Sequence, residues 1–351
     1  MSGTLPGGFD PGAAASGDGV FGLPTSVADA RVVVVPVPFE ATVSYGDGTA
    51  NGPAAMLEAS RQVDLFDRQF GRPYERGIAL LDLAEAEVVR GWSDAARAAA
   101  APIIAAGGAG DDPQLAERLA TVNELCGRMN AWVERHVAAQ LDAGKTVFTL
   151  GGDHSVPFGA IAAHAARHPG LGILHLDAHH DLRPAYEGFR WSHASIMFNV
   201  LEHVPGVARI VQTGIRDYSE EEAAIAAGSK GRVHVAYDAD VALRRASGEP
   251  WTRICDELVD ELPGTVYLSF DIDGLEPALC PGTGTPVPGG LTWHDVLVLL
   301  DRVVRSDRRI VGGDLVEVAP QPGDGEWNAN VGARLLYKMI GAALRSTSAS
   351  A

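Results

Sequence analysis

The sequence predicts an α/β fold, with a mostly parallel β-sheet covered by helices on both faces. Two observations predict it. Short β-branched runs recur along the chain, and amphipathic stretches of helical period lie between them. The runs are apolar throughout instead of alternating, which suits strands buried on both faces. A third observation orients the sheet. His- and Asp-rich segments follow three of the runs, and open α/β sheets bind ligands just beyond their C-terminal strand ends.

In chain order, Arg31–Val37 (RVVVVPV) is the first strand and Pro53–Phe66 the helix after it. Ile78–Leu81 is a weaker strand. Pro113–Leu141 reads as one long helix, because Leu115, Leu119, Val122, Leu125, Met129, Trp132, Val133 and Val137 follow the helical period. Thr146–Leu150 and Gly172–Leu176 are strands on either side of the helix Pro157–Arg167. Ala208–Thr213 and the weaker Arg232–Val235 are strands on either side of the helix Glu220–Ala227. The helix Trp251–Glu261 leads to the strand Thr265–Phe270. Trp293–Val304, Arg309–Val311 and Val331–Ala343 then complete the pattern as helix, strand and helix. The Ala/Gly-rich stretch Ala98–Asp112 is read as a surface loop. Residues 1–28, rich in Gly, Pro and Ala, form a flexible or surface-draped arm, residues 29–345 a single domain, and residues 346–351 a frayed tail.

Composition narrows the function. Of 351 residues, 46% are hydrophobic and 21% charged, enough for a core that needs no disulfide. Cys126, Cys255 and Cys280 fit no pairing scheme, which points to a reducing compartment. A net charge of -17 disfavours nucleic acid and anionic membrane surfaces as partners. The first residues carry no basic and apolar leader, and no apolar run reaches the roughly 18–20 residues of a membrane span. The reading is a cytoplasmic protein.

Three segments carry chemistry. Gly151-Gly152-Asp153-His154-Ser155 follows the strand TVFTL, Asp177-Ala178-His179-His180-Asp181 follows GILHL, and Asp271-Ile272-Asp273 follows TVYLSF. In extended backbone, alternate residues share a face. Asp177, His179 and Asp181 therefore point together, as do Asp271 and Asp273. With His154 they give four carboxylates and two imidazoles at one sheet edge. Crowded carboxylates repel, and a pair of divalent cations resolves the conflict. The mixed oxygen and nitrogen donor set suits Mn²⁺ and tolerates Fe, Co, Ni or Zn. His180 faces away from His179 and reads as a packing residue. His175, in mid-strand, reads as a satisfied core histidine.

These residues resemble a known family. GGDHS, DAHHD and SFDID, in this order and spacing, resemble the ureohydrolases, the family of arginases, agmatinases and relatives. Pro36–Glu40, Ser44-Tyr45-Gly46, Asn51-Gly52-Pro53, PGTGTPVPGGLT at Pro281–Thr292 and GGDLVEVAP at Gly312–Pro320 extend the likeness over residues 30–345. The resemblance implies a three-layer αβα sandwich with a central eight-stranded parallel sheet. It implies a hydrolase of amidine C–N bonds with two divalent metal ions, Mn²⁺ first and Ni²⁺ as an alternative. One ion would be held by His154, Asp177, Asp181 and Asp271, the other by His179, Asp177, Asp271 and Asp273. The substrate would be a small guanidino compound, cleaved to urea and an amine by an activated water that Asp181 orients. His193 would shuttle the proton, and Glu317 would hold the guanidinium. A homotrimer or homohexamer is implied, with a hetero-oligomer with a homologue as an alternative.

The chain also departs from family patterns. Arg183 stands where arginases recognise the amino-acid end of arginine with Asn. Ser219 stands where they carry the second Asp of an Asp-X-Asp. Both point away from L-arginine. His193-Ala194-Ser195 replaces the His-Gly-Thr of agmatinases, while Asp181-Leu182-Arg183 resembles formiminoglutamases, which release formamide. The loop Tyr186–Trp191 carries aromatics that would narrow the pocket around guanidine, a biguanide or a guanidino acid. The expected substrate-binding residues are Arg183, Trp191, Ser219 and Glu317.

Overall fold

The computed structural model describes residues 9–13, 15 and 17–348. The strands are β1 (Val32–Val37), β2 (Ile78–Leu80), β3 (Thr146–Gly151), β4 (Leu171–Leu176), β5 (Val207–Thr213), β6 (Val233–Ala236), β7 (Thr265–Asp271) and β8 (Arg309–Val316). All pair in parallel, in the order β2-β1-β3-β8-β7-β4-β5-β6. The helices are α1 (Gly52–Ser60), α2 (Leu83–Ala106), α3 (Pro113–Asp142), α4 (Phe158–Arg167), α5 (Ile196–His203), α6 (Glu220–Gly228), α7 (Asp238–Ala246), α8 (Trp251–Glu261), α9 (Trp293–Arg305) and α10 (Trp327–Ser348).

Strand periodicity divides the core in two. In β1, Val32 and Val34 join one apolar cluster with residues of α1, α8, α9 and α10. Val33, Val35 and Val37 join another with residues of α2, α3, α4 and α5. Successive side chains of a strand point to opposite faces, so a sheet covered on both sides needs both sets apolar. Three layers follow: helices, sheet, helices.

Every expected strand forms, the helix expected over Pro53–Phe66 ends at Ser60, α5 and α7 form where no helix was expected, and three further stretches differ. The Ala/Gly-rich segment Ala98–Asp112 is no loop up to Ala106, since α2 runs through it with Pro102 inside. Alanine is the best helix former. Ala96, Ala100 and Ile103 bury one face in the cluster that α3 joins, and the helix stops where Gly107 takes a positive φ of 69°. Part of the expected arm is packed. Phe21 is buried, stacks edge-on to Tyr337 at 4.8 Å, and donates its N–H to Ser60 Oγ at 2.8 Å. Residues 1–8, 14 and 16 of the arm lie outside the described residues. The tail begins later than expected: α10 continues to Ser348, and the buried Ser346 Oγ accepts the Ile310 N–H at 3.0 Å. Residues 349–351 lie outside the described residues.

The turn after β3 shows how tightly the sheet edge is drawn. A side chain at Gly152 would overlap the backbone of Phe39. Gly152→Ala should therefore cost at least about 1–3 kcal/mol. Gly228 in α6 has open space around it, and Gly228→Ala should leave stability unchanged or raised. Thermal denaturation of the two variants checks this; equal melting temperatures would contradict it.

Candidate metal centre

Four adjacent strands, β3, β8, β7 and β4, deliver the expected residues at their C-terminal ends. His154 follows β3, Glu317 follows β8, Asp271 ends β7 and Asp177 follows β4. Leu176 pairs with Phe270, which sets Asp177 level with Asp271.

The side chains converge in two groups. Around His154 Nδ1 lie Asp177 Oδ2 at 2.9 Å, Asp181 Oδ2 at 3.1 Å and Asp271 Oδ2 at 3.3 Å. Around His179 Nδ1 lie Asp273 Oδ2 at 3.1 Å and Asp177 Oδ1 at 3.5 Å. Asp177 thus gives one oxygen to each group. His154 Nδ1 is buried and makes no well-angled hydrogen bond to any of these oxygens. A lone pair aimed at three carboxylate oxygens fits a cation between them, and the donor set is that of a divalent transition ion. His154, Asp177 and Asp181, together with His175, form one cluster that could hold a metal ion, and Asp177, His179 and Asp273 form a second.

Surrounding atoms fix these side chains in place. His154 Nε2 meets Ser269 Oγ at 3.1 Å, and Ser269 Oγ donates to Asp314 Oδ1 at 3.1 Å. Asp177 Oδ1 accepts the His179 N–H at 2.6 Å, Asp271 Oδ1 the Asp273 N–H at 2.9 Å, and Asp273 Oδ1 the Ala178 N–H at 3.0 Å. Glu317 Oε1 accepts the His154 N–H at 2.8 Å, while its buried Oε2 has no hydrogen-bond partner among the described residues. Asp181 and Glu317 take left-handed backbone, with φ of 55° and 64°, a conformation that costs a non-glycine residue about 1–3 kcal/mol.

Electrostatics follow from burial. Burial alone would lower the His154 and His179 imidazoles, yet the facing carboxylates raise His154 well above its usual value and His179 to about 12. Burial would raise Asp177, but His175, His154 and His179 hold it well below the carboxylate range. Burial and Asp177 push Asp181 up to about 7. Burial, with Asp273 and Asp177, raises Asp271 well above the carboxylate range. Glu317 is raised well above its usual value by burial and then by Asp271 and Asp153.

These groups open into a cavity of about 160 Å³. Its wall includes His154, His179, Asp181, Arg183, His193, Asp271 and Glu317, all expected from sequence. His193 Nδ1 meets Thr42 Oγ1 at 3.1 Å. Burial, and then the neighbouring His179 and His154, lower His193 to about 4, so it is neutral at physiological pH.

Trp191 and Ser219, expected at the substrate, are not part of the cavity wall. Trp191 packs on Phe158 at 4.9 Å and beneath Arg190. Ser219 caps α6, its hydroxyl accepting the Glu222 N–H and donating to Glu222 Oε2. Phe189 of the same loop is buried in the core, which leaves Tyr186 as the loop's aromatic at the cavity. The wall also holds Ser44, Asp217, Tyr218, Glu222 and Thr285. Ser44, Asp217 and Thr285 lie in segments whose sequence already resembled the family; Glu222 had no signal. His175 is no mere core residue, because its Nε2 lies 2.9 Å from Asp177 Oδ2.

Comparison with known proteins agrees with this geometry. Residues 30–341 match the model of the arginase family. The chain is 36% identical to N(1)-aminopropylagmatine ureohydrolase of Thermus thermophilus, over 90% of this chain and 92% of that one. It is 33% identical to the agmatinase of Bacillus anthracis, over 84% and 86%. The crystal structure of agmatine ureohydrolase of Thermoplasma volcanium superposes with a TM-score of 0.70 at 25% identity, over 93% of this chain and 94% of that one. The chain therefore belongs to the arginase family and is a hydrolase of linear amidine C–N bonds.

Proposed function

We propose that residues 29–345 form one catalytic domain that cleaves a guanidino compound with a cationic tail into urea and an amine. Two divalent cations, Mn²⁺ before Ni²⁺, would be held by His154, Asp177, Asp181 and Asp271, and by His179, Asp177, Asp271 and Asp273. The observation that carries this reading is the buried, unpartnered Glu317 Oε2 facing the same small cavity as both His–Asp groups. A guanidinium donates N–H groups and carries positive charge, so it both satisfies that oxygen and balances the carboxylate's charge.

When bound, the cations supply the positive charge that activates water and polarises the substrate. The remaining work falls to side chains. Glu317 Oε2 would orient the guanidinium. Asp181 would orient the attacking water. Water adds to the guanidinium carbon, the C–N bond to the tail breaks, and the departing nitrogen takes a proton. His193, neutral and turned by Thr42, has a free Nε2 with which to carry that proton.

The cavity wall favours the tail's charge. Arg183 Nε lies 3.4 Å from the buried Glu222 Oε2, and its guanidinium stacks 5.1 Å from the Tyr186 ring. Its charge is thus already balanced. Asp217 has no ion pair among the described residues. An exposed carboxylate without an ion pair at the wall suits an amine, as the names of the agmatine-cleaving relatives suggest, over a guanidino acid or formiminoglutamate. The same reading gives a cytoplasmic homotrimer or homohexamer.

Urea release should be measured with agmatine, N(1)-aminopropylagmatine, 4-guanidinobutyrate and L-arginine, and formamide release with formiminoglutamate. The amine-tailed compounds should exceed the others in kcat/KM at least about tenfold, which corresponds to about 1.4 kcal/mol. Preferential formamide release would sink this reading. Glu317→Gln should lower kcat/KM by about 10²–10³ with no loss of melting temperature.

Cation affinity should depend on pH. Asp181, pushed up to about 7, and Asp271, also raised by burial and its acidic neighbours, hold protons that a cation must displace. Affinity therefore rises as pH increases through about 7, with proton release. Calorimetric titration of Mn²⁺ should show at least about tenfold tighter binding at about pH 8 than at about pH 6. A flat profile would contradict the ligand set.

A further inference from the structure

A row of polar residues crosses the middle of this otherwise apolar sheet. Strand register aligns Gln212 of β5 with His175 of β4, His175 with Ser269 of β7, Ser269 with Asp314 of β8, and Asp314 with Thr149 of β3. All five are buried. Ser269 and Asp314 brace His154, as described above. The Gln212 end of the row has no such role in the mechanism.

Hydrogen-bond directions there are fully determined. Gln212 lies 2.9 Å from the backbone oxygen of His180, which can only accept. The atom facing it must be the amide nitrogen, Nε2. Nε2 donates its second hydrogen to His175 Nδ1 at 2.8 Å. Oε1 on the other side accepts from His180 Nδ1 at 2.7 Å. His175 Nδ1 is thereby an acceptor, and the ring's hydrogen sits on Nε2. That hydrogen points at Asp177 Oδ2, 2.9 Å away. His180 Nε2 then accepts from the Tyr237 hydroxyl at 3.3 Å. The line runs from Tyr237 to His180, Gln212, His175 and Asp177, with every donor assigned.

We propose that Gln212 and His175 are positioning residues whose directed hydrogen bond onto Asp177 Oδ2 sets the site's affinity for divalent cations. The proposal rests on the reading of Asp177 as a ligand shared by two cations. His175 stands close enough to the His154 group to be counted among its ligands by distance. Its hydrogen on Nε2 excludes that role, because a nitrogen that donates has no lone pair to give. What His175 does instead is stop the Asp177 carboxylate from rotating, so that each oxygen stays with its own group.

The test uses the full-length, metal-free protein and calorimetric titration with MnCl₂. Gln212→Leu and His175→Leu should weaken Mn²⁺ binding about 10–100-fold. His175→Gln places an amide N–H where the ring N–H stood, and should restore affinity to within about threefold of wild type. Metal-free melting temperatures of the two His175 variants serve as the structural control. Equal weakening in His175→Leu and His175→Gln would overturn the proposal, since a ligand or a packing residue would behave so. Unchanged affinity in both leucine variants would overturn it alone and leave the ligand reading standing. A wild-type protein that binds no Mn²⁺ would overturn both. Should the variants not fold, ¹⁵N spectra of the metal-free wild type decide: a His175 ring protonated at Nδ1 refutes the proposal, and one protonated at Nε2 supports it.

Discussion

Four carboxylates and two imidazoles occupy a volume from which water is largely excluded. Like charges at such spacing repel strongly, and each uncompensated buried charge costs several kcal/mol, to an order of magnitude. Everything around the cluster answers that cost. The ligands are not left to their own rotamers. His154 is braced through Ser269 by Asp314, and Asp177, Asp271 and Asp273 each accept a backbone N–H from a neighbouring motif residue. Asp177 stands at the centre, because its two oxygens belong to two different groups.

A parallel sheet is well suited to this task. Its strands end together, so residues far apart in sequence arrive at one edge with their heights set by register. Four adjacent central strands supply the cluster. The polar row beneath it lies among residues packed from both faces, where side chains have little freedom. The shape of the cavity owes more to the loops than to the sheet, and there the wall mixes one balanced cation, Arg183, with acids and tyrosines.

Much of this was legible in the residues. Apolar runs located all the strands, and three motifs located the cluster, although Asp273 lies in a 3₁₀ turn and Asp181 in left-handed backbone and not in the extended chain that the spacing assumed. What failed has physical reasons. Alanine-rich sequence around Pro102 reads as a loop by composition, yet it builds a helix once its small face packs on a neighbour. Trp191 and Ser219 lie beside functional positions in sequence but turn elsewhere, since a loop's side-chain directions obey no period. His175 looked like core because it sits in mid-strand, and the register that lines it up with Gln212 and Ser269 is a long-range fact. Glu222 becomes part of the cavity through a helix cap, a role that one chain's sequence does not announce.

The left-handed backbone at Asp181 and Glu317 has a meaning for how the sequence can change. At either position a glycine would relax the backbone, while erasing a carboxylate that the proposed chemistry uses. The two residues thus sit where selection for stability and selection for turnover pull apart. A lineage that kept the fold but lost the activity would be expected to drift toward glycine or asparagine at these two positions before it drifted anywhere in the sheet.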